Sequence, residues 1–223
     1  MDSLEARLRD TGQEHLIDAL ARLDGPARTR LEAQLNALDL PQVHRLVQQL
    51  VHAENALPYA DLEPPDVINV PASTAELARD RQARAVGEDL LADDRVAAVL
   101  VAGGQGTRLG FDGPKGALPF GAVSGRTLFT HHAAKIDAIR TRYGCGVPWY
   151  VMTSPQNDEA TRAIFAADDW FGLDPESVRI FVQGTMPAVD RVTGRILLEA
   201  PDHIALSPDG HGGLFPELRR HGV

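Results

Sequence analysis

A parallel α/β sheet preceded by a helical N-terminal extension is the fold this sequence predicts. Three observations carry that expectation. Leucines recur at three- and four-residue spacing through the N-terminal part. Short continuous apolar runs then alternate with helical patterns from Arg95 onward. A glycine-rich segment follows directly on the first of those runs. Strands covered on both faces read as unbroken apolar runs, and strand–helix alternation is the pattern of parallel sheets with right-handed crossovers.

Each element follows from its residues. Leu4, Leu8, Leu16, Ala19, Leu20 and Leu23 form a helical stripe interrupted at Thr11-Gly12. Gly25-Pro26 breaks the chain, and a second helix carries Leu31, Leu35 and Leu38 on one face. Asp39 and Pro41 resemble the start of a third, with Val43, Leu46, Val47 and Leu50 facing inward. These stripes read as core-facing helix surface, and His15, His44 and His52 as surface or packing residues rather than ligands. Residues 57–73 are proline-rich and aperiodic, as in a linker lying across a surface, and Glu76 to Leu91 is helical again. Strands are expected over 96–101, 147–152 and 178–182, with helices over about 127–143 and 157–165. The domain expectation is a helical region over 1–57, a linker and helix over 58–94, and a nucleotide-binding part over 95–223.

Composition narrows the class. The chain has 223 residues, 43% apolar and 24% charged, with a net charge of −9. That balance is ordinary for a globular protein and argues against a general nucleic-acid or membrane-surface binder, which needs a basic face. Cys145 is the one cysteine, so neither an internal disulfide nor a cysteine-based zinc site is available. The N-terminus is charged and helical in pattern, unlike a signal peptide, and no stretch has the length of a membrane span. A cytoplasmic location is expected.

Ligands of parallel sheets bind beyond the carboxyl ends of the strands, and there stands Ala102-Gly103-Gly104-Gln105-Gly106-Thr107-Arg108-Leu109-Gly110, continuing to Pro114-Lys115-Gly116. Glycines let backbone N–H groups approach phosphate oxygens closely. Two common phosphate loops are excluded. The dinucleotide fingerprint needs glycine where Leu109 stands, and the Walker pattern needs Gly-Lys-Ser/Thr where the order is Pro114-Lys115-Gly116. Two cations, Arg108 and Lys115, flank the loop. Arg can fork two donors onto one phosphate and Lys supplies a compact charge, as phosphoryl-type transfer requires.

The segment AVLVAGGQGTRLGFDGPKGALPFG followed by SGRTLF closely resembles the signature of the UDP-sugar pyrophosphorylases, which include the UDP-N-acetylglucosamine and UDP-glucose enzymes. VPWYVMTS, FGLDPESVRIFVQGTMPAV and SPDGHGGLFPELRRHGV match in the same order, and GQEHLIDAL resembles the helical start of the N-acetylglucosamine branch. The resemblance runs from about Gly12 to the last residue. It implies a Rossmann-like GT-A nucleotidyltransferase sheet, UTP and a sugar 1-phosphate as substrates, and magnesium as cofactor. By that resemblance Ala102, Gly103 and Gly104 lie along the uridine and triphosphate. Arg108 stabilises the departing pyrophosphate, and Lys115 holds the phosphates. Gln183 reads uracil, whose imide edge suits an amide with both donor and acceptor. Gly210 allows close approach of the nucleotide, and His211 faces the sugar phosphate. His211 departs from the Asn of the eukaryotic N-acetylglucosamine branch and matches a Gly-His-Gly context of the glucose branch, so the sugar stays open between them.

The resemblance also implies catalytic sequence beyond Val223, including a metal-holding carboxylate, a second lysine and much of the sugar pocket. The sheet is therefore expected to be incomplete at the C-terminus, with exposed apolar edges and weak or absent activity from this chain alone. The expected reaction is transfer of uridylyl from UTP to a sugar 1-phosphate, with N-acetylglucosamine 1-phosphate favoured by the GQEHL, PWYVMTS and QGTMPA segments and glucose 1-phosphate, towards which His211 leans, as the alternative. A nucleotide-binding remnant without activity is the alternative of another class, and a dinucleotide-dependent dehydrogenase is disfavoured by the glycine spacing.

Overall fold

The computed structural model describes residues 3–53 and 63–222. These group into two compact units, 1–66 with 185–208, and 67–184 with 209–223.

The first unit begins with four helices, α1 (Leu4–Asp10), α2 (Glu14–Ala21), α3 (Gly25–Ala37) and α4 (Leu40–Leu46). Ser3 caps α1 through its hydroxyl, and Asp39 caps α4 by accepting from the Gln42 N–H. Leu8, Leu16, Leu31, Leu35 and Leu40 are fully buried in one core, so the stripe and both breaks stand where the spacing puts them. Leu50 does not join that face and is 71% exposed. Beyond α4 the segment Val47–His52 is π-helical, and its wider turn shifts positions away from a 3.6-residue stripe. The unit is completed by residues 185–208, which rest on the helices through Ile196 and Ile204. The expectation of one uninterrupted nucleotide-binding part over 95–223 therefore differs from the packing. Gln13 explains the difference: its buried amide donates to Thr11 O (3.3 Å) and Gly194 O (3.2 Å) and accepts from Ile196 N (2.8 Å). His15 donates to Ile196 O at 2.9 Å, and His44 to Thr11 O at 3.3 Å.

Residues 63–72 carry neither helix nor strand; residues 57–62 of the expected linker lie outside the described residues. Helix α5 (Thr74–Ala92) opens with a reciprocal Ser73–Glu76 capping box and buries none of its residues. The sheet is β1 (Ala98–Val101), with helix α6 (Leu128–Tyr143), then β2 (Trp149–Thr153), helix α7 (Asp158–Ala167) and β3 (Val178–Val182). All three strands are parallel in the order β1-β2-β3. Phe129, Trp149, Val151, Phe165 and Ile180 fill the core against it.

The expectation that β1 is covered on both faces is corrected. Its burial alternates, with Val99 44% and Val101 37% exposed, because among the described residues only the face of Ala98 and Leu100 meets the core. The 185–208 segment holds β4 (Thr185–Pro187), β5 (Leu198–Ala200), β6 (His203–Ile204) and β7 (Leu206–Pro208), paired antiparallel as β4–β7 and β5–β6. Helix α8 (Leu214–Arg220) closes the described chain. Among the described residues no helix is long and apolar enough to cross a membrane.

Candidate functional site

The site is built at the carboxyl end of β1. Ala102 continues the ladder by donating its N–H to Met152 O at 2.7 Å, and the chain then turns back on itself. Gly106 N donates to Gly113 O at 2.9 Å and Lys115 N to Gly104 O at 3.0 Å, so residues 104–115 form a closed double-backed loop. A 3-10 turn, Thr107–Leu109, stands at its tip and ends on Gly110 in the left-handed region (φ 69°). Gly106 must be glycine for a second reason: a Cβ there would come within 2.8 Å of the Phe111 backbone oxygen. Gly116 is likewise pressed against the Phe129 ring. The loop is thus anchored at both ends, by the sheet and by the aromatic core.

This folding brings several of the expected site residues together. The Lys115 side chain lies over Gly104, its Cε and Nζ each 3.6 Å from where a Cβ would stand. Gln183 follows β3 and is buried; its N–H donates to Thr153 O at 2.8 Å, extending the sheet by one step. Its side-chain amide faces Gly103, where a Cβ would approach Nε2 to 3.2 Å and Oε1 to 3.3 Å. Gly103, Gly104, Lys115 and Gln183 therefore share one neighbourhood. Ala102, Gly104, Lys115, Gly116, Phe129 and His132 line a cavity of about 120 Å³ beside it. Burial pushes the His132 imidazole below its ordinary value, with the charges of Lys135 and His131 adding to the shift. That favours the neutral ring.

Gly210 and His211 come from the turn before α8. Gly210 is in the positive-φ region (φ 76°), which favours glycine, and His211 is exposed. This turn is tied to the Gln183-Gly184 turn by the Asp209 N–H, which donates to Gly184 O at 3.1 Å. Arg108 sits on the exposed 3-10 turn, and its guanidinium makes no hydrogen bond or ion pair among the described residues. The structure does not bring Arg108 into contact with the other site residues.

Asp209 is a residue whose importance the sequence did not reveal. Its carboxylate is wedged between Gly184 and Gly213, leaving no room for a side chain at either glycine. Glu217, 6% exposed, stands against Gly184 as well and pairs with Arg220 at 2.7 Å. Two glycines flanking one carboxylate was the only available signal, and nothing local distinguishes those glycines from ordinary turn residues. Among the described residues no group of three or more His, Cys, Asp or Glu side chains could hold a metal ion.

Comparison with known proteins agrees with this architecture. Residues 42–223 match the family model described as UTP–glucose-1-phosphate uridylyltransferase. The chain is 33% identical over 228 residues to UDP-N-acetylglucosamine diphosphorylase 1 of Arabidopsis thaliana, covering 97% of this chain and 45% of that protein. It is 36% identical over 239 residues to human UDP-N-acetylhexosamine pyrophosphorylase-like protein 1, covering 99% and 46%. Among solved structures, the uridine diphosphate N-acetylglucosamine pyrophosphorylase of Trypanosoma brucei aligns with a TM-score of 0.74 at 30% identity, over 98% of this chain and 46% of that one. The fold and these matches define a nucleotidyltransferase-type α/β protein. The chain belongs to the UTP–glucose-1-phosphate uridylyltransferase family, the UDP-sugar pyrophosphorylases. It spans about half the length of the curated relatives it matches.

Proposed function

We propose that this protein serves the transfer of uridylyl from UTP to N-acetylglucosamine 1-phosphate, giving the UDP-sugar and pyrophosphate. The observation that carries the reading is the meeting of the Gln183 amide with Gly103 while Lys115 lies over Gly104. A group able to read a uracil edge thus stands beside a cation and a turn of glycine backbone suited to phosphates. The names and identities of the curated relatives favour the N-acetylhexosamine branch, and His211 is the feature that favours glucose 1-phosphate instead.

In this mechanism an oxygen of the sugar 1-phosphate attacks the α-phosphorus of UTP. A new P–O bond forms, the bridge to the β-phosphorus breaks, and its electron pair leaves with pyrophosphate. The attacking phosphate is already ionised near neutral pH, so the protein supplies neither nucleophile nor strong base. Ala102, Gly103 and Gly104 lay the nucleotide along the loop, and Gln183 fixes the base. Lys115 holds the phosphates, Arg108 meets the departing pyrophosphate, Gly210 admits the nucleotide, and His211 faces the sugar phosphate. Positioning and charge neutralisation supply the acceleration. UTP enters as its magnesium complex, and no step is assigned to a metal held by these residues.

The test is pyrophosphate release with UTP and each of N-acetylglucosamine, N-acetylgalactosamine and glucose 1-phosphates. Release with N-acetylglucosamine 1-phosphate in preference supports the reading. UTP binding without product from any sugar supports a second one, a nucleotide-binding protein without catalysis. Neither binding nor release overturns both.

A further inference from the structure

Asn157 stands at the N-cap of α7, where an asparagine ordinarily accepts hydrogen bonds from the first turn of its own helix. Here it makes no such bond. The side chain is 1% exposed and is turned the other way. Its Nδ2 donates to Ala102 O at 2.8 Å and to Gly104 O at 3.4 Å, both in the glycine loop. Its Oδ1 accepts from the Ser154 backbone N–H at 2.8 Å and from the Ser154 hydroxyl at 3.0 Å. Ser154 is itself buried and follows Thr153, whose hydroxyl donates to Asp158 and to Phe181 O.

A cap left unmade costs a helix on the order of 1 kcal/mol, and places where a local rule is broken without local gain are characteristic of function. The geometry points to what is gained. In a trans peptide the carbonyl of one residue and the N–H of the next point in opposite directions. Holding Ala102 O and Gly104 O toward Asn157 therefore aims the N–H groups of Gly103 and Gln105 away from it. Both carbonyls belong to the loop on which the proposed phosphate binding depends.

We infer that Asn157 is a positioning residue that presets the glycine loop for phosphate by holding the Ala102 and Gly104 carbonyls, at the expense of capping its own helix. The inference rests on the nucleotide reading of the loop and adds the residue that orients it.

The test uses the full chain with two variants. Asn157→Asp is nearly isosteric and loses both donors. Asn157→Ser also loses them but is as good a cap, so α7 is retained. Calorimetric titration with UTP, uridine and inorganic pyrophosphate is combined with amide NMR of the unliganded protein. The expected result is an about tenfold loss of UTP and pyrophosphate affinity in both variants, with uridine affinity within about twofold. The Gly103 and Gln105 amide resonances shift in both, and Asn157→Ser, whose lost buried hydrogen bonds lower the thermal midpoint, is titrated well below that midpoint so that both proteins are folded. Unchanged pyrophosphate affinity with unmoved amides overturns the inference, as does an equal loss for uridine and pyrophosphate, which marks a general structural role. If the parent chain binds pyrophosphate and not UTP, the uridylyl reading fails while the positioning role is still decided by the pyrophosphate arm. Binding of neither overturns both.

Discussion

Gly103 lies directly against the side-chain amide of Gln183, with 3.2 Å between Nε2 and the point where a Cβ on residue 103 would stand. Contacts of that closeness are tighter than most side chains tolerate, so the absence of a side chain at 103 sets where the amide rests. Gly103→Ala is expected to push the amide aside, lowering UTP affinity about tenfold, or 1.4 kcal/mol. Selectivity for UTP over other nucleoside triphosphates should narrow with it. Competition titrations against CTP and ATP check this, and full selectivity in the variant would detach Gln183 from base reading.

Arg108 presents the opposite case, a charge that the fold itself does not use. Surface substitutions of that kind stay within about 0.5 kcal/mol of the parent in stability. Arg108→Ala should therefore unfold at the same urea midpoint while pyrophosphate affinity falls about tenfold or more, as expected for loss of a charge-assisted contact. A variant with lower stability and unaltered pyrophosphate binding would assign the side chain to the fold instead.

The parts of this molecule that the sequence foretold are those with local causes. The apolar run before Gly103 and the break at Gly25-Pro26 each act within a few residues. Lys115 was found as a site candidate because it flanks the loop in sequence as well as in space. What escaped depends on distant partners. The placement of residues 185–208 on the N-terminal helices turns on Gln13 meeting a residue 183 positions away. The wedge of Asp209 requires Gly184 and Gly213 to arrive from separate turns. Asn157 looks like an ordinary cap until the Ala102 and Gly104 carbonyls are placed beside it. The π turn after Leu46, which exposes Leu50, leaves no compositional mark.

Gln13 gives that long-range pairing a measurable consequence. Its amide is 4% exposed and is the partner of both Gly194 O and Ile196 N. Truncation leaves these backbone groups without it, and each buried unpaired group costs about 1–3 kcal/mol. Gln13→Ala is expected to lower unfolding free energy by about 3 kcal/mol, read as a lower urea midpoint. Amide hydrogen exchange should accelerate first in residues 185–208. A midpoint within error of the parent would show that the contact adds nothing to holding that segment.

Acid should act on the second unit through Asp158. Burial pushes its carboxyl upward, but hydrogen bonds from Arg162 and Thr153 and the Arg162 charge outweigh that and hold it below its ordinary value of 3.8. The partners are close, Arg162 Nε at 2.7 Å and Thr153 Oγ1 at 2.6 Å. A carboxyl whose value is depressed on folding contributes stability that is complete above its unfolded value and is lost as the pH falls through the lower folded one. Unfolding free energy should therefore decline as the pH drops below 3.8, with part of the decline belonging to this group. Asp158→Asn should lower stability at neutral pH by about 1–2 kcal/mol, the worth of lost charged hydrogen bonds, and should make the acid limb shallower. Urea titrations from about pH 6 to about pH 3 on both proteins measure the difference. Parallel curves for parent and variant would mean that the Arg162 and Thr153 contacts leave the proton affinity of Asp158 the same in the folded and unfolded chains.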